Sequence, residues 1–151
     1  MKTIIIFSII LLNLLKPLMA AGDAKKPENF NFEFNNFYGK IDKNSAQRGL
    51  QVYIEVCSSC HGLKYLAYRN LSEIGYNKEQ INKIAAQFLI DDLPNEEGEV
   101  IKRKAINSDS FVSPYPNENA AKISNNGAYP PDLTLMVKAR KDGANYLRSL
   151  L

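Results

Sequence analysis

The feature that most restricts the fold of this chain is one short segment, which contains its only two cysteines and its only histidine. The segment reads Cys57-Ser58-Ser59-Cys60-His61. This pattern is typical of covalent haem attachment, because two thiols on one turn add to the two vinyl groups while the next imidazole faces the iron. The spacing therefore predicts one haem c, held by Cys57 and Cys60, with His61 as an axial metal ligand.

Three other kinds of site use a Cys-x-x-Cys pair. A thiol–disulfide exchange site prefers a helix N-terminus, where the dipole lowers the thiol pKa, whereas this motif follows a predicted helix and lacks a surrounding strand–helix–strand pattern. A zinc site needs a fourth thiolate or imidazole ligand, and the chain has none left. A disulfide between Cys57 and Cys60 closes a loop too small to add much stability. Haem attachment is the favoured interpretation.

The N-terminus has the features of an export signal. Lys2 precedes an apolar run that ends at Lys16, and the small residues Ala20 and Ala21 suit a cleavage site. The run is shorter than the roughly 20 apolar residues that a bilayer core requires, and an uncleaved N-terminal anchor is the alternative. We predict a signal peptide over residues 1–21 and one exported domain over 22–151, in an oxidising compartment.

Composition narrows the class of protein. Hydrophobic residues make up 45% of the chain and charged residues 23%, as in an ordinary globular domain. The formal net charge is +3, and two of the lysines, Lys2 and Lys16, belong to the predicted signal. The exported part is therefore close to neutral and lacks the stripe of cations that a nucleic-acid groove needs, so we predict no nucleic-acid partner.

Apolar periodicity and capping residues predict an all-α, mainly helical domain with long irregular loops, and the haem motif makes it a c-type cytochrome domain. The predicted helical segments are residues 45–57, a short segment that ends at Gly75, residues 78–89, a short helix between Asn117 and Asn125, and residues 133–140. Proline, glycine and aspartate predict mostly loop over residues 91–118. Alternating phenylalanines at 30, 32 and 34 predict an extended arm that lays its rings on the domain.

Several further stretches, in order along the chain, make it resemble the cytochrome c1 family. The most specific is residues 125–134, Asn-Asn-Gly-Ala-Tyr-Pro-Pro-Asp-Leu-Thr. The others are residues 47–53 before the haem motif, 68–71, 114–121, 138–140 and Tyr146. Such an ordered series is far more specific than the Cys-x-x-Cys-His pattern alone, and the resemblance covers nearly all of the exported part.

The resemblance implies roles for individual residues. Cys57 and Cys60 would form the thioethers and His61 the proximal bond. Five further residues would surround the haem, with Arg140 at a propionate and Tyr146 near the same edge: Asn125, Pro130, Pro131, Arg140 and Tyr146. From the residues alone, Arg140 also suits a solvated cation at a helix end, and the two prolines suit a rigid start to a helix.

The sequence offers one candidate for the second axial ligand of the iron. A methionine commonly fills this position in electron-transfer haems, and Met136 is the only one after the predicted signal. Its apolar neighbours favour core packing instead. Family members continue to a ligating methionine and a C-terminal transmembrane helix, so we expect the 22–151 domain to be incomplete, without the distal-ligand region and the membrane anchor.

The resemblance implies an electron-transfer subunit of the membrane-bound quinol–cytochrome c oxidoreductase, with no enzymatic activity of its own. It would work beside cytochrome b, accept electrons from a Rieske iron–sulfur protein and pass them to a soluble cytochrome c. The expected location is the periplasmic face of a bacterial cell membrane, or the intermembrane-space side of the mitochondrial inner membrane. The alternatives are a free-standing soluble periplasmic c-type cytochrome and a five-coordinate haem protein that binds small ligands.

An acidic run is a candidate docking surface for a basic cytochrome c, as the resemblance implies. Complementary charge would raise the encounter rate in a salt-dependent way. A solvated loop is the alternative. The acidic residues are Asp91, Asp92, Glu96, Glu97 and Glu99.

Overall fold

The computed structural model describes residues 25–151, so the predicted signal peptide lies outside the described residues. The described part is mainly helical with one small sheet, in agreement with a c-type cytochrome domain. The α-helices are α1 (Lys43–Glu55), α2 (Lys78–Ala85), α3 (Glu118–Ser124), α4 (Met136–Ala139) and α5 (Gly143–Leu150). Single 3-10 segments cover Glu33–Asn35, Cys57–Ser59 and Tyr68–Ile74. None of the helices in residues 25–151 has the length and apolar character needed to cross a membrane.

Side-chain caps begin most of these helices. Asn77 accepts a hydrogen bond from the backbone N–H of Gln80, and Asn117 accepts one from Ala120, as predicted. Helix α1 begins two residues earlier than predicted, because the Asp42 carboxylate accepts the Ser45 N–H at 2.9 Å. Hydrogen bonds from the Ser45 side chain and backbone hold the pKa of Asp42 below its ordinary value.

The loop predicted over residues 91–118 is partly wrong, because it contains half of a two-stranded antiparallel sheet. Strand β1 (Leu89–Asp91) pairs with β2 (Lys102–Lys104), with Leu89 opposite Lys104. The predicted 78–89 helix therefore ends early, and Leu89 belongs to β1 instead. These strands are three residues long and carry mostly charged residues, so they lack the alternating apolar pattern by which a strand is recognised.

The hydrophobic core lies between α1, α2 and the 3-10 segment Tyr68–Ile74. Its centre is Tyr68, which is completely buried and stacks on Phe111 with ring centroids 4.4 Å apart. Phe111 in turn meets the edge of Tyr53 at 5.9 Å. The partly buried Cys57 packs against this cluster. The core therefore supports the haem motif from the α1 side.

The predicted aromatic arm is confirmed at Phe30 and Phe32, which pack on a helix that the sequence did not reveal, but not at Phe34, which is exposed in the 3-10 turn Glu33–Asn35. The guanidinium of Arg148 in α5 lies 4.0 Å from the ring centroid of Phe30 and 5.7 Å from that of Phe32. The backbone N–H of Phe30 also donates to the Asn145 side chain at 3.0 Å. A guanidinium placed above the face of an aromatic ring is attracted to it by a cation–π interaction. The arm thus joins the two ends of the described chain.

The predicted helix over residues 133–140 is shorter in the structure, where only Met136–Ala139 is α-helical. The side chain of Asp132 accepts the backbone N–H of Thr134 at 3.0 Å. A local bond of this kind competes with helical hydrogen bonding. Residues 132–135 consequently form a turn rather than the first turn of a helix.

Candidate functional site

The haem motif lies on a tight turn immediately after α1. Helix α1 ends at Glu55, and Cys57–Ser59 forms a 3-10 turn. The backbone N–H groups of Cys60 and His61 both donate to the carbonyl of Cys57, at 3.1 and 2.8 Å. Both thiols are free and partly buried. The motif therefore follows the C-terminus of a helix, as predicted, and the turn keeps the two sulfurs and the imidazole close together.

Two serine hydroxyls donate hydrogen bonds to carbonyl groups at the end of α1. Ser58 Oγ donates to the carbonyl of Ile54 at 2.8 Å, and Ser59 Oγ donates to that of Val56 at 2.7 Å. The last carbonyls of a helix lack partners within the helix. The two serines between the cysteines thus stabilise the change from helix to turn at the point where the thiols must be presented.

The ring of His61 is oriented by a distant backbone carbonyl. Its Nδ1 lies 2.8 Å from the carbonyl oxygen of Pro131. Because a carbonyl oxygen can only accept, Nδ1 carries the proton and Nε2 is the nitrogen left to ligate a metal. Such a bond both orients a ligating imidazole and raises its basicity.

The backbone of His61 is fixed as well. The hydroxyl of Tyr53, a residue of α1 that is 8% exposed, donates to the His61 carbonyl at 3.0 Å. Burial raises the pKa of Tyr53 to about 12, and the nearby Asp132 charge adds to the rise. Tyr53 is therefore a neutral donor at physiological pH, and it connects the core to the motif.

Residues 62–64 are bound to residues 132–134 by hydrogen bonds beside His61. The N–H of Leu133 donates to the carbonyl of Gly62 at 2.9 Å, and the N–H of Lys64 donates to Asp132 Oδ2 at 2.9 Å. Burial acts to raise the pKa of Asp132, but hydrogen bonds from Lys64 and Thr134 outweigh it and hold that pKa below its ordinary value. Asp132 belongs to the most specific stretch of the sequence but was not among the individual residues predicted for the site.

A cleft of about 220 Å³ opens beside Cys60, and Pro130 is among its lining residues. Tyr115 also lines it, and the side-chain amide of Asn125 donates to the Tyr115 hydroxyl at 3.0 Å and to the carbonyl of Ala121 at 2.7 Å. The structure thus brings Pro130 and Pro131 next to the motif. Asn125 is not among the residues that line the cleft and reaches it only through its hydrogen bond to Tyr115.

Arg140 and Tyr146 lie together but in another cleft. The Arg140 guanidinium carbon is 5.8 Å from the Tyr146 ring centroid, and both residues line a cleft of about 760 Å³ beside residues 25–28. Among residues 25–151, no hydrogen bond or ion pair joins either residue to the turn that carries Cys57 and His61. Their role at a haem propionate stays a prediction.

Met136 is the first residue of α4 and its side chain is buried. It is 8% exposed, and its carbonyl accepts the N–H of Arg140 at 3.1 Å. Burial of this degree agrees with the core-packing interpretation of Met136.

The donor set of the motif fits a covalently bound haem. Two free thiols share one turn, and the adjacent imidazole has its Nδ1 occupied and its Nε2 available. These are the groups that form two thioethers and one proximal bond to iron. The residues present therefore match the cofactor that the spacing predicted.

Comparisons with known proteins point the same way. The family model described as "Cytochrome C1 family" matches residues 32–151. The chain is 48% identical over 110 residues to "Cytochrome c1-2, heme protein, mitochondrial" of Solanum tuberosum, covering 73% of this chain and 42% of that protein. It is 42% identical over 120 residues to "Cytochrome c1" of Rhodospirillum rubrum, covering 80% of this chain and 44% of that protein.

A longer relative is similar over a smaller share of its own length. The chain is 44% identical over 135 residues to "Cytochrome b/c1" of Bradyrhizobium diazoefficiens, covering 87% of this chain and 20% of that protein. The chain therefore spans between a fifth and less than half of the length of these relatives.

Proposed function

This chain belongs to the cytochrome c1 family, and from that premise we propose that it is a one-electron transfer protein with a single haem c. In the proposal, Cys57 and Cys60 form the thioethers and His61 is the proximal ligand. The observation that carries the proposal is the 2.8 Å contact between His61 Nδ1 and the Pro131 carbonyl, which leaves Nε2 free beside two thiols on one turn.

The haem, when bound, supplies an iron that gains and loses one electron. The chain's own residues attach and orient it. Cys57 and Cys60 would hold the haem through thioethers, each formed by addition of the thiol across one vinyl group, with the thiol hydrogen going to the other vinyl carbon. The Pro131 carbonyl keeps the proton on Nδ1 of His61, and Tyr53 holds the His61 backbone. No side chain has to transfer a proton in this function.

The other predicted site residues would surround the haem. Pro130 and Pro131 line the haem side of the motif, which their positions beside Cys60 and His61 support. Asn125 positions Tyr115 at the same cleft. Arg140 offsets the charge of a propionate, and Tyr146 packs against Arg140 at that edge.

We assign the chain's partners from its family. It would accept an electron from a Rieske iron–sulfur protein, deliver it to a soluble cytochrome c, and assemble with cytochrome b. Two relatives are named for such an assembly: "Cytochrome b/c1" of Bradyrhizobium diazoefficiens, and "Cytochrome b-c1 complex catalytic subunit, mitochondrial" of Candida albicans, which is 41% identical over 134 residues. The chain would act after export, at a membrane, on the periplasmic or the intermembrane-space side.

The acidic run divides into two parts in the structure. Asp91 pairs with Lys102 at 2.6 Å and Asp92 pairs with Arg103 at 3.2 Å, so the sheet neutralises both. Within the described chain, no cation pairs with Glu96, Glu97 or Glu99. We therefore assign the docking of a basic cytochrome c to these three glutamates, at the tip of the β1–β2 hairpin.

The proposed function is tested by a potentiometric titration of the full chain after covalent haem maturation. We expect a reversible one-electron transition and electron transfer from the reduced chain to a basic soluble cytochrome c. Addition of carbon monoxide to the reduced chain separates the alternatives, because an open iron position binds it. A chain that takes up haem but fails to reduce the soluble cytochrome would contradict the proposed role.

A further inference from the structure

Asp132 is the residue that joins the two segments on which the orientation of His61 depends. Its Oδ2 accepts the backbone N–H of Lys64 at 2.9 Å, and its Oδ1 accepts the backbone N–H of Thr134 at 3.0 Å. The first bond connects Asp132 to the segment after His61, and the second shapes the turn after Pro131. One carboxylate therefore spans both sides of the contact between His61 and Pro131.

A carboxylate such as that of Asp132 is well suited to holding two backbone segments together. A carboxylate that accepts backbone N–H groups forms charge-assisted hydrogen bonds, which are shorter and stronger than neutral ones. Asp132 is partly buried, so water competes less for these bonds. Lys64 itself is exposed and contributes its backbone rather than its ammonium group to the bond.

The carbonyl that orients His61 belongs to the peptide group just before Asp132. The pyrrolidine ring of Pro131 restricts its φ. The orientation of the peptide plane between Pro131 and Asp132 therefore depends on how Asp132 is held. The side chain of Asp132 and the bond from Leu133 N–H to the Gly62 carbonyl hold that residue in place. Displacement of the carboxylate would therefore move the Pro131 carbonyl away from His61 Nδ1.

We infer that Asp132 is a positioning residue for His61: by binding the N–H groups of Lys64 and Thr134 it holds the Pro131 carbonyl at the imidazole. The inference rests on the proposed haem ligation by His61. Since the bond at Nδ1 raises the basicity of the imidazole, Asp132 stabilises the ferric state and lowers the reduction potential.

Asp132→Glu separates positioning from charge. It keeps the negative charge but adds a methylene, so the carboxylate cannot reach both N–H groups in the observed arrangement. We expect at least a threefold shift toward the ferrous form, which is about 30 mV upward for one electron. Asp132→Asn removes the charge as well and should also raise the potential.

Asp109→Asn is the matched control, because Asp109 is another partly buried carboxylate with a backbone partner. It accepts the N–H of Ile106 at 2.8 Å and the guanidinium of Arg103 at 2.7 Å. No hydrogen bond joins it to His61 or Pro131 in residues 25–151. Its substitution should lower the free energy of unfolding and leave the potential unchanged.

Gly62→Ala provides a second test if Asp132→Glu does not fold. A Cβ at Gly62 would lie 3.0 Å from Asp132 Oδ2, so it displaces the carboxylate by a few tenths of an ångström with the charge intact. We expect a smaller upward shift of the potential. An unchanged potential in this variant would then overturn the inference.

The experiment is a redox titration of the full haem-loaded chain and these variants, with hydrogen exchange at the Lys64 and Thr134 amides as a second readout. Faster exchange together with a raised potential in Asp132→Glu supports the inference. A raised potential in Asp132→Asn but not in Asp132→Glu would show a charge effect alone and overturn it. If the unsubstituted chain carries no covalent haem, the proposed function is refuted, and the inference with it, before any variant is compared.

Discussion

The Nδ1 of His61 and the carbonyl oxygen of Pro131 lie 2.8 Å apart, although seventy positions separate the two residues in the chain. The contact joins the end of the haem motif to the most specific stretch of the sequence. It leaves Nε2 as the ligating nitrogen of the imidazole. Hydrogen bonds of Tyr53 and Asp132 hold the backbone on either side of this contact.

Tyr53→Phe removes the hydroxyl that holds the His61 carbonyl. We expect the free energy of unfolding to fall by about 0.5–1.5 kcal/mol, the usual net value of one hydrogen bond. Tyr68→Phe is the matched control, because the buried Tyr68 hydroxyl has no hydrogen-bond partner within the described residues. Its removal should leave stability unchanged or increase it, as measured by denaturant unfolding. Equal losses in the two variants would contradict this assignment.

Stability should decline in alkaline solution because of the same two tyrosines. Burial raises the pKa of Tyr53 and of Tyr68 from 10 to about 12 in the folded chain. Above pH 10 the unfolded chain loses these protons while the folded chain keeps them. The stability present below pH 10 is therefore lost as the pH rises toward 12. Unfolding curves across this range should show a weaker decline for the double variant Tyr53→Phe/Tyr68→Phe, and an equal decline would contradict the account.

Asp109→Asn should destabilise the fold by about 1.5–3 kcal/mol, the usual value of hydrogen bonds to charged groups. The guanidinium of Arg103 binds the Asp109 carboxylate and holds its pKa below the ordinary value of 3.8. The stability from this pair is therefore present above pH 3.8 and is lost as the pH falls through the lowered pKa. Thermal unfolding at several acidic pH values measures this dependence, which should be weaker in the variant.

The control for Asp109→Asn is Asp142→Asn. Asp142 is exposed, its side chain caps nothing, and its φ of 67° is a conformation that asparagine also tolerates. We expect a change within about 0.5 kcal/mol, as for ordinary surface substitutions. A loss as large as that of Asp109→Asn would show that the effect is one of net charge.

Neutralising the hairpin tip should slow electron transfer to a basic soluble cytochrome c. In the triple variant Glu96→Gln, Glu97→Gln and Glu99→Gln, we expect a lower association rate with a weaker dependence on salt, since complementary charge acts mainly on encounter. Stopped-flow kinetics at several ionic strengths measures both quantities. A control with the same net charge substitutes three exposed glutamates elsewhere on the surface: Glu33, Glu73 and Glu79. Equal rates in the two triple variants would exclude the hairpin tip as the docking surface.

Local signals in the sequence were sufficient to predict several elements. Asn77 and Asn117 begin helices as predicted, because a capping side chain acts within three residues of itself. Gly75 ends the segment that starts at Tyr68, where its φ of 98° requires a residue without a side chain. The end of α1 was predicted less exactly, because the predicted segment runs to residue 57, whereas the helix ends at Glu55 and Cys57 begins a 3-10 turn.

Other features could not be predicted, because they depend on distant parts of the chain. The β1–β2 pairing joins two short, mostly charged strands that are separate in the chain, and Asp91 and Lys102 form an ion pair across it. Helix α5 packs on Phe30 through Arg148, and Phe30 lies near the other end of the described chain. The bond from His61 to Pro131 uses a backbone carbonyl, which every residue possesses, so no residue type marks it in the sequence.

The most direct test of the central claim is the alkaline pyridine spectrum of the full chain, expressed with a c-type haem maturation system and extracted with acidified acetone. We predict one haem per chain that resists extraction, with the band position of two thioethers. Cys57→Ser and Cys60→Ser should each shift that band to the position of a single thioether. A chain that releases its haem to acetone, or that carries none, would contradict the claim that Cys57, Cys60 and His61 form a covalent haem site.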